Sequence, residues 1–440
     1  MARADRAELV RGLGLLSTTA LVAGNVIGSG IYSTPGALAA VAGPLSLLAW
    51  PLVALAYVPL TVLYADLATA YPISGGLQVY AQRGLGDLAG FAVAFLYWLS
   101  GVIGNAAFLT AFTAYAAVFF PGLAAPLAAF ALAQLVLWSF TGLNVLGVRI
   151  GAGVGLVATA LKVLPLFVLA IALLARAHPA HLEPFAPHGW PALWPAISLV
   201  AWLFVGAECV GVPAEEVRDA SRTLRRASFA GYALAAGTYL LVALALGLGL
   251  PAAAIAGGAS PLAVAARAAL GPWGETLITL GALVSIAGVL NGWLLVVGRL
   301  PFAAARSGLL APALAKIDPR TRTPVRSLVL SSAVSGACSL LYFNRTLVEA
   351  YNFVALASTA LSLVAIGVAC VAHLRLVRRE PERFQPAQRR RGPWLAGCGL
   401  GVVTLLAAGS GAVVLALTAL LVVASVPLYA WLRPRGQLVR

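Results

Sequence analysis

Long apolar runs, separated by short stretches rich in charge, proline or glycine, make up most of the 440-residue chain. A helix needs about 20 consecutive apolar residues to cross the hydrocarbon core of a bilayer. Because backbone polar groups in lipid must be satisfied within the segment, each such run is predicted to be helical. Twelve runs are long enough, and they lie at about 12–41, 44–70, 86–119, 123–146, 150–176, 194–215, 227–252, 271–306, 325–343, 346–375, 393–411 and 412–433.

Two of these runs contain residues that oppose an uninterrupted spanning helix. The first contains Gly24, Gly28 and Gly30, and each glycine weakens a helix by about 1 kcal/mol relative to alanine. The sixth carries a carboxylate, Glu208, at mid-membrane depth. The two features lie about 180 residues apart, near the starts of two five-helix halves, as in inverted-repeat transporters with discontinuous helices. For the glycines alone, the alternative is a face of small residues at which helices pack closely.

An interruption of the first helix would create a site suited to a zwitterion. Unwinding exposes amide groups at the start of one half-helix and carbonyl groups at the end of the other. The amides suit a carboxylate, and the carbonyls suit an ammonium group. The first helix therefore predicts recognition of the backbone groups that all α-amino acids share.

The charge distribution predicts how the chain lies in the membrane. The chain is 61% hydrophobic, with a net charge of +15 and a mean hydropathy of +0.95, so lipid must be its main environment and no polar domain is available for nucleic-acid binding. The lysines and arginines lie in the two termini and the even-numbered loops, with four exceptions: Lys162, Arg176, Arg267 and Arg345. The positive-inside rule therefore predicts an even number of spans and two cytoplasmic termini in a bacterial inner (cell) membrane.

Enzymatic chemistry finds little support in the sequence. No Ser/His/Asp or Cys/His set, phosphate-binding glycine loop or metal-ligand spacing occurs at a plausible depth, so neither a cofactor nor a bound metal is expected. The four cysteines have no paired spacing and are interpreted as small core residues. Arg389, Arg390 and Arg391 form the densest basic run, and we expect them to face anionic lipid headgroups.

Four stretches carry a resemblance to a known family. They are GNVIGSGIYSTPG at 24–36, YPISGGLQVY at 71–80, EEVRDASRTLRRA at 215–227 and GLLAPALAKIDPRTRTP at 308–324. Together they resemble the amino acid, polyamine and organocation transporter superfamily, and the resemblance extends over essentially the whole chain.

The resemblance implies an all-α integral membrane protein of the LeuT type, with helices 1 and 6 broken. One transport domain would cover residues 1–440 and contain two inverted five-helix repeats followed by two further helices. The implied boundaries are about 12–176 for the first repeat, 194–375 for the second, and 393–433 for helices 11 and 12. The superfamily also makes a homodimer a candidate assembly.

Within the superfamily, three motifs are most similar to the arginine/agmatine antiporter type. They are Tyr97 to Leu99 with Ile103 to Asn105 following, Trp202 to Glu208, and Asn291 to Trp293. The likeness implies that the amides of Ser29 and Gly30 hold the substrate carboxylate. It further implies that the carbonyls of Val26, Trp202 and Val205 hold the substrate ammonium group.

The same likeness assigns side chains to the rest of the site. Asn105 would bond the polar head of the substrate, Trp202 would cover the site as a gate, and Trp293 would stack on a guanidinium group. Such a cation–π contact contributes up to about 2 kcal/mol when desolvated. Tyr97 would belong to the gate. The alternative for Asn105 is a hydrogen bond between helices, and for the tryptophans it is packing.

Two positions depart from the antiporter pattern. Ile366 aligns with a gating tyrosine of the tenth helix, and Lys162 lies in a fifth helix that is apolar in the antiporter. A lysine at this depth must face the protein interior and find acceptors. Lys162 resembles a lysine of proton-coupled and exchanger branches, where it lies against the first helix. It is either a coupling group or a strut to the carbonyls near Gly24.

Glu208 also has two interpretations. It is either a proton-sensing gate or coupling carboxylate, or a helix cap that accepts hydrogen bonds from the free amides after the break.

The predicted function is secondary active transport of amino acids by alternating access, as an antiporter or permease. The favoured substrates are basic amino acids or their amines, such as arginine and agmatine, with a proton as the candidate coupling ion. One alternative is a proton-coupled or exchange carrier for neutral or hydrophobic amino acids. Another is a membrane receptor or channel that retains the fold without transport.

Overall fold

Helices form most of the chain in the computed structural model. It describes residues 14–72, 76–146, 152–211, 214 and 217–432, of which 152–160 and 221 are described by their backbone alone. The described α-helices are α1 Leu15–Val26, α2 Ser29–Ala42, α3 Ser46–Ala70, α4 Leu77–Leu85, α5 Asp87–Phe119, α6 Pro126–Val145, α7 Ala152–Leu174, α8 Leu193–Phe204, α9 Ala220–Gly249, α10 Pro261–Leu270, α11 Pro272–Arg306, α12 Val325–Cys338, α13 Leu347–Arg379, α14 Pro386–Ala408 and α15 Ala412–Leu432.

Ten helical stretches in the described residues are long and apolar enough to cross a membrane. The first of them, Leu15–Ala70, includes nearly all of the described part of the first two predicted segments. The fifth predicted segment contains α7, whose part with described side chains is a shorter apolar helix, Leu161–Leu174. The protein is therefore a multi-span helical membrane protein, and the count of twelve spans stays a prediction.

Two short helices lie in segments that the hydropathy pattern assigns to loops. Helix α4 has 9 residues and packs against α5 and α13. Helix α10 has 10 residues and packs against α11. Both are shorter than the roughly 20 residues that span a bilayer, so a search for long apolar runs passes over them.

The helices differ in how deeply they lie in the bundle. In the 18-residue apolar stretch of α13, 72% is buried inside the bundle, whereas in the corresponding stretch of α15 the buried share is 17%. Helix α13 packs chiefly against α5, and α5 packs against α11, while α9 packs against α1 and α3. Helix α15 exposes a row of leucines and valines instead, which suits a lipid-facing position because lipid is as apolar as these side chains.

Candidate functional site

The first predicted spanning segment is interrupted near its middle. Helix α1 ends at Val26 and α2 begins at Ser29. No side chain caps the start of α2, so the amides of Ser29 and Gly30 lack the partners that an uninterrupted helix would supply. The break therefore presents backbone donors in the interior of the bundle.

Close packing explains the glycines on either side of Ser29. A Cβ atom on Gly30 would lie 2.6 Å from Cγ of Leu203, and one on Gly28 would lie 3.1 Å from a methyl carbon of Val289. Only a residue without a side chain lets the start of α2 approach both α8 and α11 this closely. The glycines thus serve the close packing that the alternative interpretation predicted, and they do so at the break itself.

A second break follows α8. The helix ends at Phe204, and a 3₁₀ turn occupies Ala207–Gly211. Between them, Gly206 has a φ of +116°, a conformation that side chains disfavour. A Cβ atom on Gly206 would lie 3.0 Å from the carbonyl oxygen of Asn25. The two breaks therefore contact each other, although they are far apart in sequence.

A small cavity of about 20 Å³ lies between the breaks. Six of its lining residues are predicted site residues: Val26, Ser29, Gly30, Trp202, Val205 and Trp293. Seven others line it as well: Asn25, Gly28, Gly101, Gly104, Phe108, Leu203 and Ser358. A volume of this size has room for about one water molecule. An amino acid can enter only when the lining side chains move.

Trp202 closes one wall of the cavity. Its indole Nε1 donates a hydrogen bond to the Tyr351 hydroxyl at 3.1 Å, and its ring lies 5.8 Å from that of Phe108, centroid to centroid. A Cβ atom on Gly104 would lie 3.1 Å from Cη2 of Trp202. Helix α5 therefore needs a glycine at this position to accommodate the indole ring.

Trp293 closes another wall and contacts the second break. Its ring centroid lies 6.2 Å from that of Tyr97, and a Cβ atom on Gly206 would lie 3.5 Å from its Cζ2. Both tryptophans are buried. Each therefore lies next to a break and in the cavity wall, which is where a gate or a stacking surface would have to be.

Asn105 lies outside the cavity lining. Its Nδ2 is 3.4 Å from Oγ of Ser335 on α12, a long hydrogen bond compared with the usual 2.7–3.2 Å. The side chain is fully buried. The structure thus places Asn105 between two helices, as the hydrogen-bonding alternative predicts.

Lys162 lies against the last turn of α1. Its Nζ donates to the Gly24 carbonyl oxygen at 3.1 Å, while its own carbonyl oxygen accepts from the Tyr32 hydroxyl at 2.9 Å. A Cβ atom on Gly288 would lie 3.2 Å from Cε of Lys162. The buried amine therefore joins α7 to α1 and packs against α11, which is the contact that both interpretations of Lys162 require.

Glu208 accepts hydrogen bonds from both its own break and another helix. Its Oε2 accepts from the Gly206 amide at 3.0 Å, and its Oε1 accepts from the Tyr97 hydroxyl at 2.8 Å. The Tyr97 hydroxyl also lies 3.2 Å from Sγ of Cys209. The carboxylate thus caps the break, as one interpretation of Glu208 predicts, and links the break to α5. A gating role would use the same contacts.

Two tyrosines contact the site although the sequence does not predict them as site residues. The Tyr239 hydroxyl lies 2.6 Å from the Val26 carbonyl oxygen and 3.2 Å from that of Leu203, so it joins the ends of α1 and α8. Tyr351 bonds the Trp202 indole from α13, the helix that carries the buried Ile366. Neither tyrosine lies next to a glycine break, so no local signal marks them.

The fold and the site together define the class of this protein. Two interrupted helices from separate parts of a multi-span helical chain meet at a small internal cavity lined by backbone groups and tryptophan rings. Residues 13–432 match the amino acid permease family, and the chain belongs to this family of the amino acid, polyamine and organocation superfamily. The protein is a transporter of this family rather than an enzyme.

Curated relatives cover three quarters of the chain. An uncharacterized transporter of Mycobacterium tuberculosis (strain H37Rv) is 31% identical over 333 residues, which are 75% of this chain and 74% of the relative. An uncharacterized transporter of Mycobacterium bovis has the same identity and coverage. The cadaverine/lysine antiporter of Escherichia coli K12 is 28% identical over 333 residues, with 75% of this chain and 74% of the relative covered.

Proposed function

We propose that the protein is a secondary active antiporter or permease for basic amino acids or their amines in the bacterial inner membrane. The observation that carries the proposal is the meeting of two helix breaks at one cavity, with the uncapped amides of Ser29 and Gly30 at its wall. Such breaks let backbone dipoles replace water around a charged substrate. The similarity to a cadaverine/lysine antiporter supports substrates such as lysine and cadaverine or arginine and agmatine.

Backbone groups of the two breaks bind the part of the substrate that all amino acids share. The amides of Ser29 and Gly30 hold the carboxylate, helped by the positive end of the α2 dipole. The carbonyls of Val26, Trp202 and Val205 hold the ammonium group. The Val26 carbonyl already accepts from Tyr239, but a carbonyl oxygen has two lone pairs and can accept a second hydrogen bond.

The side chain of the substrate is recognised by aromatic faces. Trp293 stacks on the cationic head, and Trp202 covers the bound substrate until its bond to Tyr351 breaks. Among the described residues, no carboxylate lines the cavity, so a cation is held by ring faces and carbonyl oxygens. Asn105 stabilises the contact between α5 and α12 and acts on the site only indirectly.

Alternating access requires a moving part on each repeat. In the proposed twelve-span arrangement, α1 and α2 belong to the first repeat at about 12–176, and α8 belongs to the second at about 194–375. Both termini lie in the cytoplasm. Lys162 couples proton movement to the first break, and Tyr97 with Glu208 gates the second.

One observation favours neutral amino acids as a second candidate substrate class. The cavity wall is mostly glycine, aromatic and aliphatic side chains, and Lys162 places a buried amine beside the first break. A cationic substrate gains less in such a site than it would beside a carboxylate. A carrier for neutral or hydrophobic amino acids would bind the same backbone groups.

Counterflow in proteoliposomes separates the two substrate classes. Vesicles containing the full chain are loaded with lysine, cadaverine, arginine, agmatine or leucine, and uptake of radiolabelled lysine, arginine or leucine is measured. We expect internal basic substrates to accelerate uptake of lysine and arginine, and little uptake of leucine. Uptake of leucine that internal leucine accelerates, without uptake of lysine or arginine, would favour the neutral class. Uptake indifferent to every internal substrate would contradict exchange.

Trp293→Ala tests the stacking contact in the same vesicles. We expect it to weaken lysine and arginine binding much more than leucine binding. Trp431→Ala is the matched control, because Trp431 is 75% exposed on α15. An equal loss for all three substrates would contradict cation–π recognition.

A further inference from the structure

The first two turns of α14 present a basic and aromatic face at one end of the bundle. An open groove there is lined by Pro386, Ala387, Arg390, Arg391 and Trp394. Their spacing of four residues puts them on one side of the helix. Trp394 is 64% exposed, and the apolar part of α14 follows it, so the groove lies where the helix enters the bilayer. This end of the bundle is the predicted cytoplasmic one.

The two arginines of the groove differ in what holds them. Arg391 donates two hydrogen bonds to the fully buried Asp66 of α3. One runs from Nη2 to Oδ1 at 2.5 Å and the other from Nε to Oδ2 at 3.1 Å. Gln388 Nε2 donates to the same Oδ1 at 2.9 Å. A guanidinium group has five N–H donors, so Arg391 keeps its Nη1 donors for another acceptor. The Arg391 guanidinium group is thus held in place by Asp66, and its Nη1 group can donate to a ligand.

Arg390, by contrast, is exposed. Among the described residues, none forms a hydrogen bond or an ion pair with it. The surrounding segment 375–391 contains seven arginines but only two glutamates, and one of these, Glu380, already pairs with Arg383 at 2.6 Å. The groove therefore carries positive charge that the protein does not neutralise.

We propose that this groove binds the phosphate headgroup of an anionic phospholipid of the surrounding leaflet. Arg390 and the free Nη1 donors of Arg391 take the phosphate oxygens, because planar guanidinium groups match phosphate geometry. The Trp394 ring lies against the interfacial part of the lipid, where tryptophan is favoured. Since Arg391 also holds Asp66, the bound lipid reinforces the junction of α14 with α3.

A lipid fits the groove better than a soluble phosphate ion does. The groove extends from charged guanidinium groups to an exposed indole along a helix that continues into the hydrocarbon, which matches a headgroup joined to acyl chains. A soluble ion would use the arginines and gain nothing from Trp394.

Lipid titration of the purified full-length protein tests the proposal. Delipidated protein in detergent is titrated with phosphatidylglycerol or phosphatidylcholine, while bound lipids are counted by native mass spectrometry and the melting temperature is recorded. We expect phosphatidylglycerol to bind more tightly and to raise the melting temperature. Arg390→Gln should weaken phosphatidylglycerol binding about fivefold, since one arginine near an anionic headgroup contributes about 1 kcal/mol.

Arg378→Gln is the matched control, because Arg378 is exposed in the last turn of α13 and its replacement removes the same charge outside the groove. Arg391 is left intact, since its loss would leave the buried Asp66 without its cation. Equal weakening by Arg390→Gln and Arg378→Gln would overturn the proposal in favour of diffuse attraction. Inorganic phosphate that stabilises the wild type as well as phosphatidylglycerol does would also overturn it, in favour of a soluble anion site. Weaker phosphatidylglycerol binding in Trp394→Ala would support the lipid.

Discussion

The two helix breaks are stabilised in different ways. At the first, the support comes from another helix: Lys162 of α7 donates to the Gly24 carbonyl, and no side chain caps the start of α2. At the second, the support is partly local, because Glu208 accepts a hydrogen bond from the Gly206 amide two residues before it. The start of α2 therefore has amide donors that no side chain caps, whereas an amide donor of the second break is bound by Glu208.

This difference supports separate proposed roles for the two breaks, substrate binding at the first and gating at the second. A substrate carboxylate binds where amide donors are unused, so the first break suits it better than the second, whose Gly206 amide already donates to Glu208. The Glu208 carboxylate is instead tied to the Tyr97 hydroxyl at 2.8 Å. That contact joins the break to α5, as a gate between two helices requires.

The largest effect is expected from Gly30→Ala at the first break. The added Cβ would lie 2.6 Å from Cγ of Leu203, so the start of α2 must move away from α8. A displacement of about 1 Å at a binding site can reduce activity about 100-fold, and we expect a loss of uptake of this order. Gly142→Ala is the control, because nothing lies within 4 Å of its added Cβ. Wild-type uptake by Gly30→Ala would mean that the close approach of α2 and α8 is dispensable.

Glu208→Gln should have the next largest effect. The glutamine side chain can keep both contacts, with its oxygen accepting from the Gly206 amide and its NH₂ group donating to the Tyr97 hydroxyl oxygen. It cannot carry the charge of a carboxylate, and hydrogen bonds to charged groups contribute about 1.5–3 kcal/mol, compared with about 1 kcal/mol for neutral ones. We therefore expect the exchange rate to fall about fivefold. Tyr97→Phe is the comparison, since it removes the hydroxyl that contacts Glu208 and Cys209 and leaves the carboxylate on the Gly206 amide. If Tyr97→Phe slowed exchange while Glu208→Gln did not, the charge of Glu208 would be unimportant.

Lys162→Ala distinguishes a coupling lysine from a structural strut. The change removes the only side chain shown to donate to the Gly24 carbonyl among the described residues. If the amine couples a proton to the first break, uptake measured between about pH 5 and 9 should lose its pH dependence while some exchange persists. A lower rate with an unchanged pH profile would identify a strut.

Asn105→Ala should have the smallest effect. Its bond to Ser335 is long at 3.4 Å, and an ordinary hydrogen bond contributes about 1 kcal/mol. We expect the concentration of lysine or arginine that half-saturates uptake to change by less than about threefold. A rise of tenfold or more would place the Asn105 amide on the substrate during transport.

The helical membrane fold and the family could be predicted from the sequence because both rest on local features. An apolar run of spanning length indicates by itself that the segment lies in lipid. The family motifs, such as residues 24–36, are continuous in the chain. The break between α1 and α2 could also be predicted, since closely spaced glycines weaken a helix wherever it packs. The short helices α4 and α10 could not, because their apolar runs are too short to signal a span.

The sequence by itself determined that this chain is a multi-span helical transporter with an interruption at Gly24 to Gly30. Only the tertiary structure decided which side chains meet there. It placed the Asn105 side chain against Ser335 of α12 rather than in the cavity, brought Tyr239 to the ends of α1 and α8, and put the Tyr351 hydroxyl next to the Trp202 indole. Contacts of this kind join residues far apart in sequence, and the direction of a buried side chain depends on the packing of neighbouring helices, which no local pattern encodes.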